Sequence, residues 1–146
     1  MQEIQRILLA LDFSENSDDA LRLSCELARG LKAEIVLVYV DEVAATVAGS
    51  SLATEHLTWA SRHLQKTRAQ LETQGCRVQA LLCEGTPVAE ILAAAEASGA
   101  SMIVPGSCGH STVSSLLLGT AADRVLRRLK ISALVVPHTA AAATSI

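Results

Sequence analysis

Residues 85–105, GTPVAEILAAAEASGASMIVP, carry an unbroken signal for a helix that feeds directly into a buried strand. Thr86 stands at the cap position and Pro87 at the first helical position. Val88, Ile91, Leu92 and Ala95 form an apolar stripe at helical spacing, and Gly99 supplies the stop. The run SMIVP that follows is apolar and too short for a helix, which suits a strand covered on both faces.

The same alternation extends toward the amino terminus. RILLALD (residues 6–12) and AEIVLVYV (33–40) are short, nearly continuous apolar runs and read as strands. Between them, FSENSDDALRLSCELARG offers Ser14 and Ser17 as caps and early acidic residues. Its small or apolar residues Ala20, Leu21, Ser24, Leu27, Ala28 and Leu31 recur at helical spacing, and Gly30 is the expected stop. The segment DEVAATVAGSS is expected to be a mobile connection. A long helix follows from Ala53, with Leu57, Ala60, Leu64, the stem of Arg68, and Leu71 on one face and Gly75 at its end. CRVQALLC (76–83) is a third strand with one side partly wet.

Toward the carboxyl terminus a further helix is expected from about Thr120 and a fifth strand over residues 132–137, SALVVP. Five strands alternating with four helices imply a parallel sheet, because parallel neighbours need crossovers and right-handed crossovers place helices on both faces. The expected fold is a doubly wound α/β sheet forming one domain over residues 1–138, with 139–146 a flexible tail. Ligands of such sheets lie outside the carboxyl ends of the strands, where strand order reverses, which directs attention to Asp12, Val40 and Gly106.

Composition narrows the partners. Of 146 residues, 50% are apolar, 18% charged and only 2% aromatic, so the core is built from aliphatic side chains and stacking platforms for single-stranded nucleic acid are lacking. A net charge of -3 gives no general attraction to nucleic acid or anionic lipid. No apolar run approaches the roughly 20 residues that span a bilayer. The opening MQEIQRILLALD lacks a leader pattern, and a cytoplasmic location is the expectation. Cys25, Cys76, Cys83 and Cys108 include no C-x-x-C and no metal-ligand spacing with the histidines, and are expected to be free, buried or half-buried thiols.

After the fourth strand the glycines Gly106, Gly109 and Gly119, with Thr120, form G-x2-G-x9-G-T. Glycines there open the backbone for a ligand, and unpaired N–H groups at a helix start favour phosphate. The competing reading is purely structural: Thr120 with Asp123 matches a capping box that satisfies the same N–H groups. No G-K-[ST] and no G-x-S-x-G occur, which removes the Walker and serine-hydrolase classes.

A first strand ending in Asp, followed by Ser and a helix, combined with G-x2-G-x9-G-[ST] after the fourth strand and the ending LLLGTAADRVLRRLKISALVVP, resembles the universal stress protein family over nearly the whole chain. The resemblance implies strand order 3-2-1-4-5 and a homodimer through the last strand, across Ile131, Ser132, Ala133, Leu134, Val135 and Val136. An exposed apolar edge strand invites such pairing. In one branch of the family it implies ATP in the crevice between strands one and four. The adenine and ribose would lie near Ala10, Leu11, Asp12, Val40 and Pro105. The phosphates would lie near Gly106, Ser107, Gly109, His110, Gly119, Thr120 and Ala121.

Asp12 has two readings, a cap for the next helix or a contact to ribose and to a hydrated Mg2+ accompanying ATP. Two residues depart from the family's pattern, Pro105 beside the adenine position and Cys108 between the motif glycines. The implied role is an adenine-nucleotide sensor or regulatory module in a stress response, with at most slow ATP hydrolysis because no general base stands near the phosphates. The alternative is a dimeric scaffold that binds no nucleotide.

Overall fold

The computed structural model describes residues 4–11, 17–105 and 131–134. Its elements run β1 (Arg6–Leu11), α1 (Ser17–Leu31), β2 (Glu34–Asp41), α2 (Glu42–Thr46), α3 (Ser51–Thr73), β3 (Arg77–Glu84), α4 (Pro87–Ser98), β4 (Met102–Pro105) and β5 (Ser132–Ala133). The strands form one parallel sheet, as the alternation implies, in the order β3-β2-β1-β4-β5, as the family resemblance implies.

The continuous apolar runs follow from burial on two faces. Along β1, Ile7, Leu9 and Leu11 pack beneath α1 and α3, together with Ile35, Leu37, Ala28, Leu64 and Leu71. Leu8 and Ala10 point the other way and join Val36, Val38, Ile103 and the Ile91, Leu92 and Ala95 stripe of α4. β1 therefore sits at the centre of two apolar layers, and the change of direction from β2 on one side to β4 on the other falls at its carboxyl end. β3 is an outer strand, and its mixed burial matches its mixed composition.

Helix ends show where local signals hold and where packing overrides them. Gly99 takes φ 69, and Ala100 N–H and Gly99 N–H bond back to the carbonyls of Ala95 and Glu96, a glycine-centred Schellman turn. Thr86 occupies the cap position of α4, but its hydroxyl makes no capping bond, so Pro87 is the working part of that start signal.

Gly30 is not the stop of α1. The helix runs on through it to Leu31, and the left-handed residue is Lys32 at φ 57, with Ala33 N–H bonding the carbonyl of Ala28 at 2.8 Å. Carrying α1 that far brings Ala33 into the core directly ahead of β2, while Leu31, read as part of the stripe, is left 46% exposed.

The expected mobile connection after β2 is instead the short helix α2. Asp41 caps it, with the Ala44 N–H donating to Oδ1 at 2.8 Å, which gives the alanine-rich segment a fixed start. The helix expected from Thr120 lies outside the described residues. β5 is described for Ser132–Ala133, and its pairing continues through Leu134 N–H to the Ile103 carbonyl at 2.9 Å.

Candidate site at the carboxyl edge of the sheet

Three described strands end together at the switch point. In the sheet register Ala10 lies between Val38 of β2 and Pro105, the last residue of β4. Leu11 pairs with Tyr39, and Val40 stands beyond Val38 on the same face. Four residues expected at the site, Ala10, Leu11, Val40 and Pro105, are thus brought to one edge.

Their burial differs. Ala10 is closed over by the α4-side core and Leu11 by the opposite layer, whereas Val40 keeps 8% of its surface open at the end of β2. Asp12, with the Mg2+ expected near it, Gly106, Ser107, Gly109, His110, Gly119, Thr120 and Ala121 lie outside the described residues, as do Val135 and Val136 of the expected interface. Ile131, Ser132, Ala133 and Leu134 are described at the β5 edge, with Ser132 and Ala133 exposed.

Beside Val40 the structure places a polar pair that sequence reasoning missed. Asp41 is 0% exposed, and its two carboxylate oxygens have separate partners: Ala44 N–H on Oδ1, and His56 Nδ1 on Oδ2 at 2.7 Å. A carboxylate only accepts, so Nδ1 carries the proton. A buried carboxylate is tolerated only with such partners, and here each oxygen receives one.

His56 is held in turn by Trp59, 5.5 Å away between ring centroids, and Trp59 packs against His63 at 4.4 Å and edge-on to Tyr39 at 6.5 Å. The His63 Nδ1 lies 3.0 Å from the Trp59 carbonyl oxygen one turn earlier. The aromatic set ties α3 to the end of β2, and Asp41 ties both to α2. Chemically the pair is a clamp that fixes the end of β2 against α2 and α3.

The signal was present in part. DEVA at a strand end is an acidic cap pattern of the kind considered at Asp12, and His56, Trp59 and His63 share one helix face at steps of three and four. What could not be read is that the cap's second oxygen would meet a ring 15 residues away.

A doubly wound parallel sheet whose strand order reverses beside β1 defines a class of small α/β domains that bind ligands at that switch point. Within that class the universal stress protein family model matches residues 3–137, and the chain belongs to that family. It is similar to Universal stress protein MJ0531 of Methanocaldococcus jannaschii, 30% identical over 90% of this chain and 81% of that protein. It is also similar to Universal stress protein YxiE of Bacillus subtilis, 27% identical over 82% and 90% of the two chains.

Among solved structures, protein MJ0577 of M. jannaschii superposes with a TM-score of 0.73 at 26% identity, covering 93% of this chain and 97% of its own. A universal stress protein from Burkholderia pseudomallei does so with a TM-score of 0.71 at 28% identity, covering 94% and 98%.

Proposed function

We propose that this chain is an adenine-nucleotide-binding universal stress protein that holds ATP at the carboxyl edge of its sheet and acts as a sensor or regulatory module. The observation that carries the reading is the strand order. It puts the reversal between β1 and β4, where Ala10 pairs with Pro105, and the chain leaves Pro105 straight into G-x2-G-x9-G-T.

The described part of the site is consistent with a base: β2 ends at the apolar, nearly buried Val40, next to the Asp41–His56 pair. In this reading Gly106, Ser107, Gly109, His110, Gly119, Thr120 and Ala121 hold the phosphates, and Asp12 meets the ribose or a Mg2+ that would neutralise phosphate charge. Universal stress proteins of the same fold have been solved with cAMP, at 21% identity and TM-score 0.66, and, from Archaeoglobus fulgidus, with dAMP, at 17% and 0.65. At that distance the likeness to this chain is one of fold, and it supports the choice of ligand class only through the fold's capacity.

Pro105 favours a second reading, a scaffold without nucleotide, because proline removes an N–H donor and fixes φ beside the base position. Calorimetry with millimolar Mg-ATP separates the two. Binding that disappears in Gly109→Val supports the nucleotide reading. Absence of heat with ATP, AMP and cAMP alike overturns it in favour of the scaffold.

A further inference from the structure

Cys25 on α1 and Cys76, which follows α3 at the corner into β3, bring their Sγ atoms to 2.7 Å across 51 residues of sequence. Both thiols are free and buried, at 2% and 7% exposure. The corner is firmly built: Gly75 takes φ 92, Cys76 N–H bonds the Leu71 carbonyl at 3.2 Å, and the Cys76 thiol lies 3.8 Å from the Cys25 carbonyl oxygen. The two sulfurs would have to approach by less than 1 Å to reach the disulfide length of about 2.05 Å.

Access is asymmetric. Cys76 lines a surface depression of about 560 Å³ at the amino-terminal end of the sheet, with Arg29, Lys32 and Arg77 around it, whereas Cys25 does not reach it. Arg77 is fixed there by donating from Nη2 to the Lys32 carbonyl at 3.0 Å. Three cations line the depression, and Arg29 acts on the thiol itself, which selects for a reagent that carries negative charge.

We propose that Cys76 and Cys25 form a thiol–disulfide exchange site for an anionic low-molecular-weight disulfide. The Cys76 thiolate, its proton passed to solvent, attacks one sulfur of the reagent. A mixed disulfide forms on Cys76, and the first reagent thiolate leaves. Cys25, deprotonated in its turn, attacks the Cys76 sulfur and expels the second thiolate. Two protein thiols are oxidised to one disulfide, and one reagent disulfide is reduced to two thiols that take up the two protons.

Burial, then the hydrogen bond and charge of Cys25, push the Cys76 thiol up to about 12, against the opposing pull of Arg29. The exchange is therefore slow at neutral pH, and its rate follows the thiolate fraction, rising about tenfold per pH unit from pH 7 to 9. Closure at neutral pH therefore needs prolonged exposure to the oxidising disulfide.

The test uses the full chain carrying Cys83→Ser and Cys108→Ser, incubated with oxidised glutathione and, separately, with the cationic disulfide cystamine. The expected result is loss of both remaining thiols, an intact mass lower by two hydrogens, and closure about tenfold faster with glutathione disulfide than with cystamine. A rise in Tm of roughly 10 °C should accompany closure. Cys25→Ser should stop at a stable mixed disulfide on Cys76, and Cys76→Ser should not react.

Peptide mapping of the unsubstituted chain after the same treatment gives a readout that no folding defect of a variant can obscure. A peptide joining Cys25 to Cys76 supports the proposal. Two unmodified thiols, cross-links to other cysteines only, or equal rates with both reagents overturn it.

Discussion

His56 Nδ1 stands 2.7 Å from Asp41 Oδ2, and the other oxygen of that fully buried carboxylate takes the Ala44 N–H. One side chain thereby ends β2, starts α2 and receives α3. Removing either partner leaves a buried polar group short of a hydrogen bond, which costs more than the bond's net value.

Asp41→Ala loses both the cap and the histidine contact and should destabilise the protein by about 2–4 kcal/mol. His56→Ala, which leaves the cap intact, should cost about 1–3 kcal/mol. Urea denaturation of the two variants and of the double variant gives the coupling energy. A coupling above about 1 kcal/mol is expected, and additive effects would show that the pair is not formed in solution.

The contrast between this clamp and the sheet shows which parts of the structure sequence can express. Strands such as RILLAL are legible because burial on both faces leaves no polar position to break the run. The parallel order follows, since helical segments separate the strands. Gly75 and Gly99 were legible as stops because each has the positive φ that glycine uniquely favours.

Gly30 carried the same local sign and was misread, because the length of α1 is set by the need to bury Ala33 ahead of β2, a tertiary demand. α2 was missed for a similar reason: nothing local shows that Asp41 will turn inward and find His56. Of the candidate site, the strand ends Ala10, Leu11, Val40 and Pro105 lie at one edge, because topology alone places them. The phosphate-side residues rest on the motif.

Gly30 and Lys32 supply a stability test of where α1 ends. Gly30 is exposed within the helix, has no positive φ, and an added Cβ would meet nothing within 4 Å. Gly30→Ala should stabilise by about 0.5–1 kcal/mol through reduced backbone entropy of the unfolded chain. Lys32, at φ 57, has the opposite need, and Lys32→Gly should also stabilise, by up to about 1 kcal/mol. Thermal denaturation of each variant checks the pair. A helix that truly ended at Gly30 would give a destabilised Gly30→Ala and an indifferent Lys32→Gly.

Cys76 links stability to alkaline pH. Its thiol rises from 9.0 to about 12 on folding, chiefly because burial opposes the charged form. The folded state thus holds the proton more tightly than the unfolded state. The stabilisation is fully present below pH 9 and is lost as pH climbs from 9 toward 12. Under reducing conditions, Tm measured across that window should fall more steeply for the unsubstituted chain than for Cys76→Ala. Parallel profiles would mean that the thiol is not buried in its protonated form.

The homodimer that the family resemblance implies, across the last strand, makes the last demand on the fold. β5 is the outer strand beyond β4, with Ser132 and Ala133 exposed, and among the described residues no strand pairs with its far edge, which a second copy could fill. Ala133→Lys places a charge on that edge without entering either core layer. It should leave Tm at low protein concentration unchanged within about 0.5 kcal/mol of stability, as exposed substitutions do. Two strands paired across a two-fold axis would bring the introduced lysines close together, and like charges there oppose association. Sedimentation velocity should then show a concentration-dependent dimer for the unsubstituted chain and a dissociation constant raised at least about tenfold for Ala133→Lys, equivalent to about 1.4 kcal/mol. A monomer at every concentration would remove the dimer. An undiminished dimer in Ala133→Lys would move the interface away from β5.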